Sequence, residues 1–252
     1  MMIQRSFGVG VLLVGLALSV AAASVQEDLE SAAKHGEVAF ILVTANGAPR
    51  SDQAKNMIKQ AMKQVEKCTL IELDRSDPVN AELVAKFRLA GAPVPLILLT
   101  ARNGVLAGGL PAVRATVDKL IAMLPSPKKT EVLEVLQAGK AVFICVSRKD
   151  MATQSGAAAA CAAACGELQD KCVTVQIDMD DPAEAGFLTK LKVDRAATEP
   201  VILVVNAQGQ ITSTYTGAAD VASLAKAATK KASGCCPSTV QGGSKSCGPG
   251  KK

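Results

Sequence analysis

An internal repeat constrains the fold more than any other feature of this chain. The stretch HGEVAFILV, which begins at His35, aligns with AGKAVFICV, which begins at Ala138, at an offset of 103 residues. Farther on, EKCTLIELDRSDP aligns with DKCVTVQIDMDDP, and VPLILLTARNG with EPVILVVNAQG, at offsets of 104 and 105 residues. An offset that changes so little over this distance is typical of a duplicated domain with small insertions in its loops.

Both copies show the same alternation of strands and helices. Each has a buried first strand (38–44 and 141–147), two further helix–strand units, a turn containing glycine, another strand and a last helix (111–124 and 219–231). Strands that alternate with helices predict a mixed sheet covered on both faces. We therefore predict two α/β domains, 25–125 and 131–231. The short segment LPSPKKTEV between them predicts that the domains touch.

Each half resembles a thioredoxin-like domain. The resemblance lies in the strand, loop and helix of VAFILVTANGAPRSDQAKNM, in LDRSDP and IDMDDP after the second strand, and in a proline directly before an apolar strand. It implies two tandem thioredoxin-like domains, each with a central mixed β-sheet flanked by helices. In the family this proline is cis and faces the active site. Pro95 and Pro200 match it, so we expect a cis bond before each and a groove beside it.

The active site that the resemblance implies is missing from the sequence. In the family a C-x-x-C pair begins the helix after the first strand, where the helix dipole lowers the thiol pKa and the second cysteine resolves the mixed disulfide. Here NGAPRS (46–51) and SRKDMATQS (147–155) contain no cysteine. We therefore predict no catalytic residue at this place and no cofactor. The favoured function is a non-catalytic one: binding a peptide or protein, or acting as a scaffold.

Eight cysteines lie elsewhere in the chain: Cys68, Cys145, Cys161, Cys165, Cys172, Cys235, Cys236 and Cys247. Cys161 and Cys165 are an i, i+4 pair whose Cβ atoms in a helix are about 5–6 Å apart, too far for a disulfide with each other. Core packing is favoured for both; half of a soft-metal site, or disulfides to other sulfurs such as Cys165 to Cys172, are the alternatives. The matching positions of Cys68 and Cys172 predict a shared packing role, and Cys145 is expected in the core.

These thiols leave two other functions open. One is a thiol-disulfide oxidoreductase that uses an unconventional pair, such as Cys161 and Cys165 or the cysteines near the C-terminus. The other is a protein that binds a soft metal such as copper or zinc. His35 is the only histidine, which argues against a site with several histidine ligands.

The first residues predict export. Arg5 precedes an apolar stretch and the small residues Ala21, Ala22 and Ala23, the pattern of a secretory signal peptide (1–23) that is cleaved after Ala23. A membrane anchor is the alternative, although the apolar stretch is short for one. We expect a periplasmic or extracellular protein with no transmembrane anchor after cleavage.

The last segment, 232–252, is rich in Gly, Ser and Lys and is expected to be disordered. For Cys235, Cys236 and Cys247 we favour one intramolecular bridge; a Cu(I) or Zn²⁺ site and a bond to a partner are the alternatives. The longer stretch from Val221 to the end, which includes this segment, has six lysines and no acidic residue, so it is suited to contact an anionic surface. Because aromatic residues do not alternate with these lysines, no nucleic-acid partner is expected.

Overall fold

The computed structural model describes residues 24–46 and 49–231. The predicted signal peptide and the predicted tail, with Cys235, Cys236 and Cys247, lie outside the described residues. In the part of the chain that is described, no helix combines the length and the apolar character needed to cross a membrane.

In the described residues of the first half there are four α-helices and four strands: α1 (Val25–Lys34), β1 (Val38–Thr44), α2 (Ser51–Met62), β2 (Cys68–Asp74), α3 (Ala81–Lys86), β3 (Leu96–Thr100), β4 (Leu106–Pro111) and α4 (Val117–Ala122). The second half repeats this order: α5 (Pro127–Gln137), β5 (Ala141–Ser147), α6 (Gln154–Glu167), β6 (Cys172–Asp178), α7 (Ala185–Lys190), β7 (Val201–Val205), β8 (Ile211–Thr216) and α8 (Val221–Thr229). Single 3₁₀ turns at Pro78–Asn80 and Pro182–Glu184 precede α3 and α7.

The strands form two four-stranded sheets with the same topology. Their orders are β2-β1-β3-β4 and β6-β5-β7-β8. In each sheet the first two strands of the half run parallel, while the third strand is antiparallel to both of its neighbours. This is the topology of a thioredoxin-like domain, and the predicted fold class of two tandem domains is confirmed.

The central strands β1 and β5 hold each domain together. Their continuous apolar sequences, VAFILVT and AVFICVS, are buried over nearly their whole length because helices cover both faces of each sheet. Phe40 and Phe143 lie at matching positions and are fully buried. Phe40 packs beneath α2 and α4, and Phe143 packs beneath α6 and α8. Each sheet therefore buries one phenylalanine under the helix that follows its first strand.

The last helix of the first half is shorter than predicted. It was expected over 111–124, but α4 begins at Val117, where the Thr116 side chain accepts a hydrogen bond from the backbone of Lys119. Pro111 instead ends β4, where it is the partner of Leu96, and Ala112–Arg114 form a single 3₁₀ turn before α4.

The two halves contact each other, as the short linker predicted. Asn103 Nδ2 donates to Glu134 Oε2 at 3.2 Å, and Gln137 Nε2 donates to the carbonyl oxygen of Leu106 at 3.0 Å. Lys190 Nζ donates to the carbonyl oxygen of Ala122 at 2.9 Å. These bonds connect α5 to the β3–β4 turn and the start of β4, and α7 to the end of α4.

Candidate functional site

Pro95 lies buried at the start of β3, and the Val94–Pro95 peptide bond is cis, as predicted. Its carbonyl oxygen accepts a hydrogen bond from the backbone of Ala112 at 2.9 Å, which ties the start of β3 to the end of β4. The preceding loop is held by Arg75, whose Nη1 donates to the carbonyl oxygens of Leu89 at 3.1 Å and Ala92 at 2.5 Å. The backbone around Pro95 is therefore fixed from both sides.

A cavity of about 160 Å³ lies between Pro95 and the first turns of α2. Its lining combines aliphatic, thioether and amide side chains with one guanidinium: Arg50, Gln53, Ala54, Met57, Pro95, Ala112, Val113 and Ala115. Val113 is 71% exposed although it is apolar. The cavity is thus a small, largely apolar recess with a cationic residue in its wall.

The helix start beside this cavity carries no thiol. α2 begins after Arg50, whose φ of 67° lies in the left-handed region and whose side chain makes no capping hydrogen bond. The sequence contains no cysteine from residue 38 to residue 67. The first half therefore keeps the cis-proline of a thioredoxin-like domain without the sulfur chemistry that normally faces it.

Pro200 occupies the matching position of the second half with a different backbone. It is buried and accepts a hydrogen bond from the backbone of Gly217 at 2.8 Å. The predicted cis bond before Pro200 is wrong, because among the described residues only the bond before Pro95 is cis. An X–Pro bond prefers trans by about 0.5–1 kcal/mol. The exposed Glu199 brings no apolar packing to offset that preference, whereas Val94 packs against the core of the first half.

The loop between β5 and α6 is closed by its own side chains. Arg148 Nη1 and Nη2 donate to the carbonyl oxygens of Arg195 and Ala197, each at 2.8 Å. Met151 is buried in the core of the second half, and its sulfur accepts a hydrogen bond from the backbone of Arg148 at 3.4 Å. The segment in place of the missing C-x-x-C is therefore used for packing in this half.

Cys165 of α6 and Cys172 of β6 form a disulfide, with their Cα atoms 5.2 Å apart. This is the pairing that the sequence left as an alternative to core packing. Cys172 belongs to an apolar core cluster of the second half, and Cys68 packs against the corresponding cluster of the first half, as their matching positions predicted. Only Cys172 is bonded, because Cys68 is a free thiol that donates to the carbonyl oxygen of Val65 at 3.3 Å. The physical reason is that α2, unlike α6, has no cysteine near its end with which Cys68 could pair.

Cys145 of β5 and Cys161 of α6 form a second pair of neighbouring sulfurs. Both are buried, as expected, at 1% and 0% exposure, and both are free thiols joined by a side-chain hydrogen bond. The hydrogen bond from Cys161 lowers the pKa of Cys145, against the opposing effect of burial. The same bond raises the pKa of Cys161, and burial raises it further. Sequence reasoning placed both residues in the core but did not pair them.

The described cysteines do not form a metal site. Within residues 24–46 and 49–231, no group of three or more His, Cys, Asp or Glu side chains is arranged to hold a metal ion. Cys165 is bonded to Cys172, so it is not available as a thiolate ligand beside Cys161. The suggestion of half a soft-metal site at Cys161 and Cys165 is therefore not supported in the oxidised protein.

Comparisons with known proteins show the extent of similarity. No family model and no curated protein matches the sequence. Among solved structures, the first two thioredoxin domains of Saccharomyces cerevisiae Eps1p are 13% identical with a TM-score of 0.32, covering 82% of this chain and 96% of that one. The zinc-bound form of human ERp44 is 11% identical with a TM-score of 0.31, covering 79% and 56%. Because these sequence identities and TM-scores are low, the fold assignment rests on the strand order and pairing described above.

Proposed function

We propose that the protein is an exported, non-catalytic thioredoxin-like protein that binds an extended segment of a peptide or protein in the cavity beside Pro95. The observation that carries the proposal is the composition of that cavity. A cis-proline faces a helix start that has no thiol, while Met57 and Val113 line the recess. The site therefore has surface for binding and no sulfur for exchange.

The lining favours an apolar side chain next to an acidic one. Met57 has a flexible thioether that adapts to ligands of different shape. Val113 is exposed, and covering apolar surface stabilises a complex by about 25 cal/mol per Å². Arg50 supplies a planar guanidinium suited to a carboxylate. A segment such as Leu-Asp would satisfy both parts of the cavity.

Export is supported by sulfur chemistry as well as by the pattern of residues 1–23. Disulfides persist in oxidising compartments and are rare in the cytosol. The bond between Cys165 and Cys172 joins two residues that are close in the sequence and lie in one folded half. A periplasmic or extracellular location is consistent with such a bond.

The binding experiment compares Val113 with a second exposed valine. The probe is a fluorescein-labelled, unstructured 12-residue peptide with Leu-Asp at its centre, and the readout is fluorescence anisotropy against the chain beginning at Ser24. Val113→Asp should raise Kd at least about tenfold, which corresponds to about 1.4 kcal/mol. The matched control is Val79→Asp, because Val79 is 76% exposed and does not line the cavity. Equal effects of the two changes, or no binding by the unaltered chain, would contradict the proposal.

The non-catalytic part of the proposal has its own test. Reduction of insulin by dithiothreitol is followed by turbidity with and without the protein. The protein should not accelerate the reduction of insulin. Acceleration that persists in Cys165→Ser/Cys172→Ser would show that another thiol catalyses the exchange, and acceleration that disappears in that variant would assign it to this pair.

A further inference from the structure

A polar cavity of about 260 Å³ lies at the carboxyl ends of β5 and β6 in the second half. Ser147 and Asp178 end these two strands and are partners in their parallel pairing, so their side chains lie on the same face of the sheet. The lining, here called the β5–β6 cavity, includes a hydroxyl, an ammonium group, two amides and two carboxylates: Ser147, Lys149, Gln154, Gln176, Asp178 and Asp181.

The repeat explains why this place is open in the second half. In the first half, Lys55 of α2 forms an ion pair with Glu72 of β2. The matching residues of the second half are Ala158 and Gln176, at offsets of 103 and 104 residues. Ala158 belongs to the alanine-rich sequence of α6 and has no side chain that could reach β6. The second half therefore leaves a space where the first half has an ion pair.

Ser147 gives an independent indication that the β5–β6 cavity receives a ligand. It is 8% exposed, and its hydroxyl makes no hydrogen bond within residues 24–46 and 49–231. In that part of the chain, no fully enclosed side-chain nitrogen or oxygen lacks a partner, so Oγ of Ser147 is open to the cavity. Buried polar groups normally have a hydrogen-bond partner. This hydroxyl is therefore available to a bound molecule.

The charged groups of the cavity are only partly used by the protein. Oδ1 of Asp178 accepts from the backbone of Asp180 at 3.0 Å, and Oδ1 of Asp181 accepts from the backbone of Ala183 at 2.8 Å. The second oxygen of each carboxylate has no partner among the described residues. Lys149 is exposed and forms no ion pair with any described residue. Two carboxylate oxygens and one ammonium group are thus presented to the cavity.

A second lysine in the lining does not change this balance. Nζ of Lys128 also borders the cavity, but it is bonded to Glu131 at 2.7 Å. The remaining charges are those of Lys149, Asp178 and Asp181. They are complementary to a molecule that carries an ammonium group and a carboxylate together.

We propose that the β5–β6 cavity binds a free amino acid with an amide side chain, of the glutamine type. Its ammonium group donates to Asp178 and Asp181, and its carboxylate accepts from Lys149. Its side-chain amide pairs with the amides of Gln154 and Gln176, because each amide offers both a donor and an acceptor. The site lies in the second half and does not depend on the function proposed for the cavity at Pro95.

The size and chemistry of the cavity favour this class over others. Pockets for drug-sized ligands measure about 300–1,000 Å³, so 260 Å³ suits a smaller molecule. A metal ion is not favoured, because the described residues contain no group of three or more His, Cys, Asp or Glu side chains that could hold one. No aromatic ring lines the cavity for a sugar to stack on.

The binding test is a titration of the ¹⁵N-labelled chain beginning at Ser24 with L-glutamine up to 10 mM, followed by ¹H–¹⁵N correlation spectra. Saturable shifts should appear at the amides of Lys149, Gln154, Gln176 and Asp178. Glutaramic acid, which lacks the ammonium group, and L-glutaminamide, which lacks the carboxylate, should each bind at least about tenfold more weakly. Absence of saturable shifts at these residues, or equal binding of sucrose, would overturn the proposal.

Asp178→Asn tests the ammonium subsite. The asparagine oxygen can still accept from the backbone of Asp180, whereas the negative charge is lost. Kd for L-glutamine should rise at least about tenfold. The matched control is Asp74→Asn, because Asp74 ends β2 and accepts from the backbone of Ser76 in the same way. Equal Kd values for Asp178→Asn and the unaltered chain would overturn the proposal.

The cavity can also be closed without changing its charged groups Lys149, Asp178 and Asp181. Ala158→Lys/Gln176→Glu places the ion pair of the first half in the second half and should abolish the shifts caused by L-glutamine. Ala159→Lys is the control, because it adds a lysine at an exposed position of α6 outside the lining, and it should leave Kd unchanged. Undiminished binding by the double variant would overturn the site. If circular dichroism shows that the double variant is unfolded, Asp178→Asn decides the question.

Discussion

Arg75 donates a hydrogen bond from Nη1 to the carbonyl oxygen of Ala92, three residues before the cis-proline of the first half. Arg148 makes the corresponding bond in the second half, to the carbonyl oxygen of Ala197, three residues before Pro200. The two arginines come from different places, since Arg75 follows β2 and Arg148 follows β5. Each half therefore holds the loop before its proline with an arginine, but the two arginines do not occupy matching positions of the repeat.

Replacing Arg75 with lysine should loosen the loop before Pro95. A guanidinium can donate to the carbonyl oxygens of Leu89 and Ala92 together, whereas an ammonium group lacks the same planar geometry. We expect Arg75→Lys to lower the free energy of unfolding of the first half by about 1–2 kcal/mol in urea denaturation. Arg88→Lys, at an exposed position outside this contact, should change it by less than about 0.5 kcal/mol. Similar losses for both would show that the Arg75 contact does not stabilise the fold.

Glu184 should be among the polar residues most sensitive to substitution. It is 1% exposed, and its two carboxylate oxygens accept hydrogen bonds from the Ser126 hydroxyl at 2.5 Å and the Lys128 backbone at 2.8 Å, at the N-terminus of α5. Glu184→Gln puts an amide NH₂ opposite one of these donors, and we expect a loss of about 1–3 kcal/mol in urea denaturation. The control is Glu131→Gln, which breaks a partly exposed ion pair with Lys128 and should cost under about 1 kcal/mol. If Glu184→Gln costs no more stability than Glu131→Gln, the hydrogen bonds of Glu184 at the N-terminus of α5 do not stabilise the fold as proposed.

The strands of both sheets could be predicted from the sequence because the patterns that indicate them are local. The runs at 38–44 and 141–147 are apolar at nearly every position, as expected for strands covered on both faces, and the structure places β1 and β5 over these same residues. The proline that precedes each third strand could likewise be located from its neighbours. These features depend on residues adjacent in the chain, so a pattern in the sequence is enough to find them.

The features that the sequence left open depend on contacts between distant residues. Whether Cys165 bonds to Cys172 is decided by where α6 ends relative to β6, and the spacing alone allowed core packing as well. The contact of Cys145 with Cys161 depends on how far α6 lies along β5. The isomer before Pro200 depends on what Glu199 packs against. In each case the deciding quantity is a tertiary position that local patterns do not specify.

The matching phenylalanines allow the two halves to be destabilised separately. Phe40→Ala should cost about 3–5 kcal/mol, because it removes a fully buried ring and leaves a cavity beneath α2. Tyr215, the only tyrosine, lies in β8 and reports on the second half. Phe40→Ala should therefore shift part of the unfolding transition seen by circular dichroism to lower urea, while the transition seen by Tyr215 fluorescence stays in place. Phe143→Ala should move the fluorescence transition.

The control for these substitutions is Val79→Ala, at an exposed apolar position of the first half, which should change stability by less than about 0.5 kcal/mol. If Phe40→Ala moves both transitions together, the halves unfold as one unit and the hydrogen bonds between them contribute more than expected.

Glu37 should control the reactivity of Cys68. Burial raises the pKa of the Cys68 thiol, the negative charge of Glu37 raises it further, and Arg102 acts in the opposite direction. Glu37→Gln should therefore lower the pKa of Cys68 and speed its alkylation by iodoacetamide at pH 8, measured by peptide mapping; the exposed Glu30→Gln should leave the rate unchanged. The raised pKa also means that the folded protein holds this proton more tightly than the unfolded chain. The contribution of the protonated Cys68 thiol to stability is complete below the ordinary thiol pKa and is lost as the pH rises through the raised pKa of the folded protein. Glu37→Gln should reduce that loss. Unchanged alkylation in Glu37→Gln would exclude the charge of Glu37 as a cause.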